Sequence, residues 1–200
     1  MQRYTYSAGA VKLAFWFLEF KKCVGLRSEG VDWEDIRRQA LDDNIFGTPT
    51  AARAKQIYST VSARIQELDD SFYEIFETSD LASQKLFCLA ACMAKDTLFH
   101  DFVYEVIREK MIIGMNEFTD SDISIFFKDK QLQDETAAKW TDATLVRLGR
   151  SYKTMLYEAG LIDKGREVRK ILPPIPDPLM EHWLEDHGFE TIRKSIAGER

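Results

Sequence analysis

The sequence predicts a mainly α-helical protein: a helical bundle over residues 1–115, then a C-terminal part over residues 116–200 that resembles a winged helix-turn-helix with at most a short β-hairpin. Three observations lead there. Apolar residues recur at helical spacing through most of the chain. Thr119 to Pro174 reads as two helices followed by two short β-compatible runs. That segment also reverses the acidic charge of the remainder. The two parts are expected to pack as one compact unit.

The elements follow in order. Ser7 to Arg27 carries Val11, Phe15, Leu18 and Lys22 at helical spacing, and Asp32 caps a second helix running to about Asp43. Thr48-Pro49 reads as a cap followed by proline at the first helical position, opening a long helix with Ile57, Val61, Ile65 and Leu68 on one face. A short piece, Ser71 to Glu77, and a strongly apolar helix, Asp80 to Lys95, come next. Asp96-Thr97 starts a helix with a wide apolar stripe that Gly114 ends. Thr119 to Asp122 caps the next one. A last pair of helices, about Pro178 to His187 and Phe189 to Ile196, follows a proline-rich stretch.

The helix from about Thr141 to Ala159 separates its residues by character. Leu145, Leu148, Tyr152, Met155 and Leu156 share one side, whereas Arg147, Arg150, Lys153, Thr154 and Tyr157 fall on the other. After Gly160 come Leu161-Ile162, a turn-like Asp163-Lys164-Gly165, and the run Val168 to Leu172. These two runs are expected to pair as a wing, with Lys164, Arg166, Arg169 and Lys170 as its cations.

Charge supports this partition. The chain carries a formal charge of -6, but from Lys139 to Ile171 eight Lys/Arg face four Asp/Glu, so this piece is +4 and the remainder -10. An acidic protein with one basic surface suits selective contact with a polyanion. Any single cation here is also compatible with an ordinary solvated helix face; the arrangement carries the expectation.

Composition excludes several classes. A hydrophobic content of 45% with 12% aromatics fits a globular chain. The longest clearly apolar uncharged run, Leu86 to Ala94, is far short of the roughly 20 residues a spanning helix needs. No signal-peptide pattern opens the chain, so a cytoplasmic location is expected. Cys23, Cys88 and Cys92 suggest buried thiols, not a disulfide framework.

No catalytic constellation emerges, and neither a metal site nor a cofactor is expected. His182 and His187 are five apart and share no helix face well, while His100 lies beside an apolar stripe. The glycines form no phosphate loop. Asp120 and Asp122 are explained as helix-start residues complementing the macrodipole. Arg53 and Arg64, eleven apart on the third helix and so about 20° apart around it, are possible secondary phosphate contacts.

Several features are similar to a known family. Tyr4-Thr5 with Gly9, Trp33 to Ile36, Asp43 to Phe46, and the Ala51 to Leu68 helix with Arg53 and Arg64-Ile65 stand in a characteristic order. The more specific run LFHDFVYEVIREKMIIGMNEFTDSDISIFFKDK spans Leu98 to Lys130; Lys139 to Thr141, Thr144-Leu145 and Glu158 to Ile162 follow. The chain resembles the BrxA family of bacterial BREX (bacteriophage exclusion) systems. The resemblance implies a NusB-like arrangement of helices, a role in phage defence beside other BREX proteins, and binding to double-stranded DNA. It carries over no catalytic residue.

The leading expectation is therefore a non-enzymatic duplex-DNA-binding component of a BREX complex. Arg147, Arg150 and Lys153 would meet phosphates, Thr144, Thr154 and Tyr157 would supply hydrogen bonds, and Lys164, Arg166, Arg169 and Lys170 would form a basic wing. Two alternatives stay open: a protein-interaction scaffold for the defence complex, or RNA binding by NusB-like analogy.

Overall fold

The computed structural model describes residues 2–200 and is mainly helical. A 3-10 turn, Gly9–Lys12, precedes α1 (Phe17–Ser28), α2 (Trp33–Leu41), α3 (Ala51–Ile65), α4 (Phe72–Thr78) and α5 (Leu81–Lys95). Helix α6 (Thr97–Phe102) continues through a π-helical stretch, Val103–Arg108, into α7 (Glu109–Ile112). Strand β1 (Glu117–Thr119), α8 (Asp120–Gln133), α9 (Asp142–Ala159), β2 (Val168–Lys170), α10 (Pro178–Asp186) and α11 (Glu190–Ala197) complete the chain.

Most starts are set by side-chain caps. Asp32, Asp80, Asp96 and Thr141 each accept a hydrogen bond from the backbone N–H three residues on, and Thr119 with Asp122 forms a capping box. Two expected starts are corrected. The cap of α3 is Thr50, not Thr48. The Thr48 N–H and hydroxyl both donate to Asn44 Oδ1, whereas the Thr50 hydroxyl accepts the Arg53 N–H.

The periodicity expected a helix from Ser7, yet α1 begins only at Phe17. Trp16 sits in the left-handed region, at φ 54° and ψ 46°, which no helix passes through. A buried Arg64 side chain explains the break, because its guanidinium donates to the carbonyls of Ala14 at 2.8 Å and Phe15 at 3.0 Å. Those carbonyls are thereby satisfied outside any helical ladder.

Helix α5 is the axis of the core. Every residue from Leu86 to Ala94 is buried, and α1, α3, α4, α6, α9 and α11 pack around it. Phe20, Phe72, Phe76, Phe87 and Trp183 interlock as an aromatic cluster with edge and stacked contacts. The same continuous core takes in Phe118, Ile123, Phe127 and Tyr152 from the later segment. Helices α10 and α11 return to pack on α4, α5 and the π-helical stretch.

The expected wing is realised in a different pairing. Leu161-Ile162 and Ile171-Leu172 do meet, through an isolated Ile162–Ile171 bridge and a Leu172 N–H to Leu161 carbonyl bond of 2.8 Å. The ladder of β2, however, is made antiparallel with β1, pairing Glu117 with Lys170, Phe118 with Arg169 and Thr119 with Val168. The reason is local. Asp163 turns its carboxylate back onto the N–H groups of Gly165 and Lys170 at 3.0 and 2.9 Å, so residues 163–167 curl instead of extending. Phe118, fully buried, anchors β1 as the partner.

Candidate nucleic-acid interface

Helix α9 is placed by its apolar face. Leu148, Gly149, Tyr152, Met155, Leu156 and Ala159 are buried, with Leu145 half-buried. Gly149 permits the close crossing with α8: a Cβ there would lie 3.0 Å from Ile123 Cγ2. Thr141 opens the helix by accepting from the Thr144 N–H at 3.3 Å, and the two hydroxyls lie 3.1 Å apart. Gly160 closes it in the left-handed conformation, φ 87°.

This packing leaves Arg147, Arg150, Thr154 and Tyr157 exposed on the opposite face. The Thr154 hydroxyl donates to the Arg150 carbonyl one turn back, at 3.0 Å. Lys164, Arg166 and Lys170 are exposed on the turn and strand that follow. A cleft of about 390 Å³ brings the two pieces together, lined by Arg150, Lys153, Thr154, Tyr157, Lys164 and Arg169. Arg147, Arg150, Lys164, Arg166 and Lys170 make no ion pair among the described residues.

Lys153 and Arg169 are placed differently. Lys153 Nζ lies 2.7 Å and Arg169 Nη1 3.3 Å from the same Asp120 Oδ1, and both cationic side chains are largely covered while Asp120 remains 66% exposed. Arg169 also lies over the Phe118 ring, 5.9 Å from its centroid. Asp120 thus ties the start of α8 to α9 and to β2. Sequence reasoning took Asp120 as a helix-start residue and so missed this role; its partners are 33 and 49 positions away.

Further along α9 runs a groove of about 440 Å³ against α8, floored by Ile123, Phe127, Leu145 and Val146. Lys128 borders it, exposed and without an ion pair, a cation the sequence reading passed over. Asp120 and Asp142 stand on the same rim. Asp163, an acid in the lining of the basic cleft, is held below the usual carboxylate range by the backbone N–H bonds from Gly165 and Lys170.

Of the two secondary contacts, Arg64 is corrected. Arg64 is buried, which removes it from any phosphate surface. Arg53 is exposed but lies over the Trp16 ring at 5.0 Å and donates to Gln56. Both arginines bracket Trp16, Arg64 at 5.8 Å, which accounts for their shared edge of α3.

No group of three or more His, Cys, Asp or Glu side chains that could hold a metal occurs among the described residues. His100 is buried between Asp101 and Thr191, and His187 stacks on Trp183. The three cysteines are buried and free. Among the described residues no helix is long and apolar enough to cross a membrane.

The fold and this surface define a small helical protein whose α8–α9 pair is bound to a two-stranded antiparallel sheet and flanked by a basic cleft. Comparison with known proteins supplies the family. The BrxA family model matches residues 4–188. The BREX protein BrxA of Bacillus cereus (strain H3081.97) is 37% identical over 183 residues, covering 92% of each chain. The BREX protein BrxA of Escherichia coli O9:H4 (strain HS) is 22% identical over 177 residues, covering 84% of this chain and 79% of its own. The chain belongs to the BrxA family, whose members are components of BREX phage-defence systems. An uncharacterized protein from Magnetospirillum magneticum shares the fold, with a TM-score of 0.82 at 16% identity over 98% of this chain and 100% of that one.

Proposed function

We propose that this protein is a non-enzymatic, double-stranded-DNA-binding component of a BREX complex that grips backbone phosphates through α9 and the segment after it. One observation carries the reading: in a chain of net charge -6, five exposed and unpaired cations, Arg147, Arg150, Lys164, Arg166 and Lys170, cluster on α9 and the adjoining turn and strand. The order strand, helix, helix, bridge, strand matches that of winged-helix DNA readers, whose second helix enters the major groove. Thr144, Thr154 and Tyr157 add hydroxyls for phosphate or sugar oxygens.

The surface offers few groups for bidentate reading of base edges beyond Arg147 and Arg150. Binding is therefore largely independent of sequence, on the order of micromolar, and strongly weakened by salt. Competition between duplex DNA, single strands and structured RNA at one salt concentration tests the assignment. Duplex should win; preference for a single strand or RNA would overturn it. Tyr157, 45% exposed, is the one aromatic bordering the cleft among the described residues, a poor stacking platform for single strands.

A further inference from the structure

We propose that the groove formed by α1, the α2–α3 turn and α4 docks a lysine- or arginine-rich amphipathic segment of another BREX protein. This inference is independent of DNA binding, and it concerns a surface that no residue of the basic cleft shares. The groove encloses about 550 Å³, with Leu18, Gly25, Leu26, Ile45 and Phe46 as its apolar lining. Leu18 is 74% exposed although it opens the helix that carries the core residues Phe20, Cys23 and Val24.

Charge points to the occupant. Glu19, Glu29 and Glu77 rim the groove, and none has an ion-pair partner among the described residues. Lys21 and Lys22 also line the groove but reach neutral acceptors, Gln84 Oε1 at 2.8 Å and the Ile45 carbonyl at 2.7 Å, so three carboxylates face two ammonium groups and the lining keeps a net negative charge. Glu29 sits at the carboxyl-terminal end of α1, where the helix dipole disfavours an anion and adds to the negative potential. An apolar floor under unpaired carboxylates is complementary to a helix with one apolar and one basic face.

Gly25 gives a second, separate observation. It lies inside α1 at an ordinary helical φ, and a Cβ there would meet only Glu77 Oε1, at a comfortable 3.6 Å. Neither packing nor backbone geometry requires glycine, and glycine is a poor helix former. Its effect is to keep the middle of the groove open. In the groove beside α7 and α8 most carboxylates are already taken, Glu105, Glu109 and Asp122 by Lys130, Arg108 and Lys110, which leaves Asp129 as the one lining acid without an ion pair among the described residues.

The test uses the full chain co-expressed with the other proteins of its own BREX system. A photo-crosslinking phenylalanine derivative replaces Leu18 and, as a control, Leu132, which is 86% exposed. Position 18 should form an adduct with a Lys/Arg-rich amphipathic segment of one BREX protein, and position 132 should not. Gly25→Gln, which fills the floor with a good helix former, and the triple change Glu19→Gln, Glu29→Gln, Glu77→Gln should each reduce the adduct about tenfold. Both variants should melt no lower than wild type and keep its duplex-DNA binding, which separates this inference from the DNA reading. No adduct at position 18, an adduct with a non-basic segment or a second copy of this chain, or an adduct indifferent to both variants would overturn the proposal.

Discussion

Lys153 and Asp120 are held 2.7 Å apart, and Arg169 reaches the same carboxylate oxygen at 3.3 Å. One exposed acid is therefore shared by two of the cations that the sequence assigns to DNA, and the trio keeps one positive charge. The acid also joins α8, α9 and β2 at the edge of the basic cleft.

Replacing that acid should strengthen DNA binding. Surface ion pairs contribute at most about 1 kcal/mol each, so Asp120→Asn should lower stability only slightly. Lys153 and Arg169 would then be free for phosphate. We expect duplex affinity to rise several-fold and the salt dependence to steepen by about one to two in slope, measured by fluorescence anisotropy across a salt series. An affinity that falls would mean that Asp120 serves the interface chiefly by holding β2 in place.

Arg64 should be a folding residue. Its guanidinium satisfies the Ala14 and Phe15 carbonyls beside the left-handed Trp16. Arg64→Ala leaves these acceptors unpaired and the strained turn unsupported, which should destabilise the protein by about 2–4 kcal/mol in chemical denaturation. Arg53→Ala, at an exposed position on the other side of Trp16, should have an effect below about 1 kcal/mol.

Gly165 controls the turn into β2. A Cβ at this position would fall 1.9 Å from the Val168 carbonyl oxygen, a backbone atom that cannot move without unpairing the strand. Gly165→Ala should raise hydrogen exchange at the β1–β2 amides and weaken duplex binding several-fold, while the melting of the helical core stays close to wild type. Unchanged exchange at those amides would show that the turn relaxes freely.

Asp96 should make stability fall as pH rises. Burial pushes its carboxyl up to about 6, against the Phe99 and Leu98 N–H bonds that favour the charged form. Between the unfolded value near ~4 and the folded one the native state binds more protons, so stability is highest below this window and declines through it. Because the side chain retains some access to solvent, the loss should be on the order of 1–2 kcal/mol. Asp96→Asn keeps the cap and should flatten this component in denaturation curves taken from pH 4 to 7.

What could be read from the chain follows the range of the interactions. The caps Asp32, Asp80, Asp96 and Thr141 act on residues three positions away, and the stops at Gly114 and Gly160 act on themselves, at φ 72° and 87°. Such signals survive in a sequence. The break before α1 does not, because its cause, Arg64, is about 50 positions from the carbonyls it binds. Strand β1 is three residues long, too short for an alternating pattern to register, and it matters through a partner beyond two helices. The basic face of α9 was visible as periodicity; the loss of Lys153 and Arg169 to Asp120 was not, since that pairing exists only once the elements are packed.

Arg147, Arg150, Lys164 and Arg166 are the exposed cations proposed to meet duplex phosphates, with Lys170 beside them. The most direct measurement is the slope of log binding constant against log salt for the wild type and for the variant with all four replaced by alanine. The wild-type slope should be about -4 to -5 for five free cations, reduced to about -1 in the variant, which keeps only Lys170, with affinity lowered at every salt concentration. An unchanged slope and affinity in the variant would contradict this assignment.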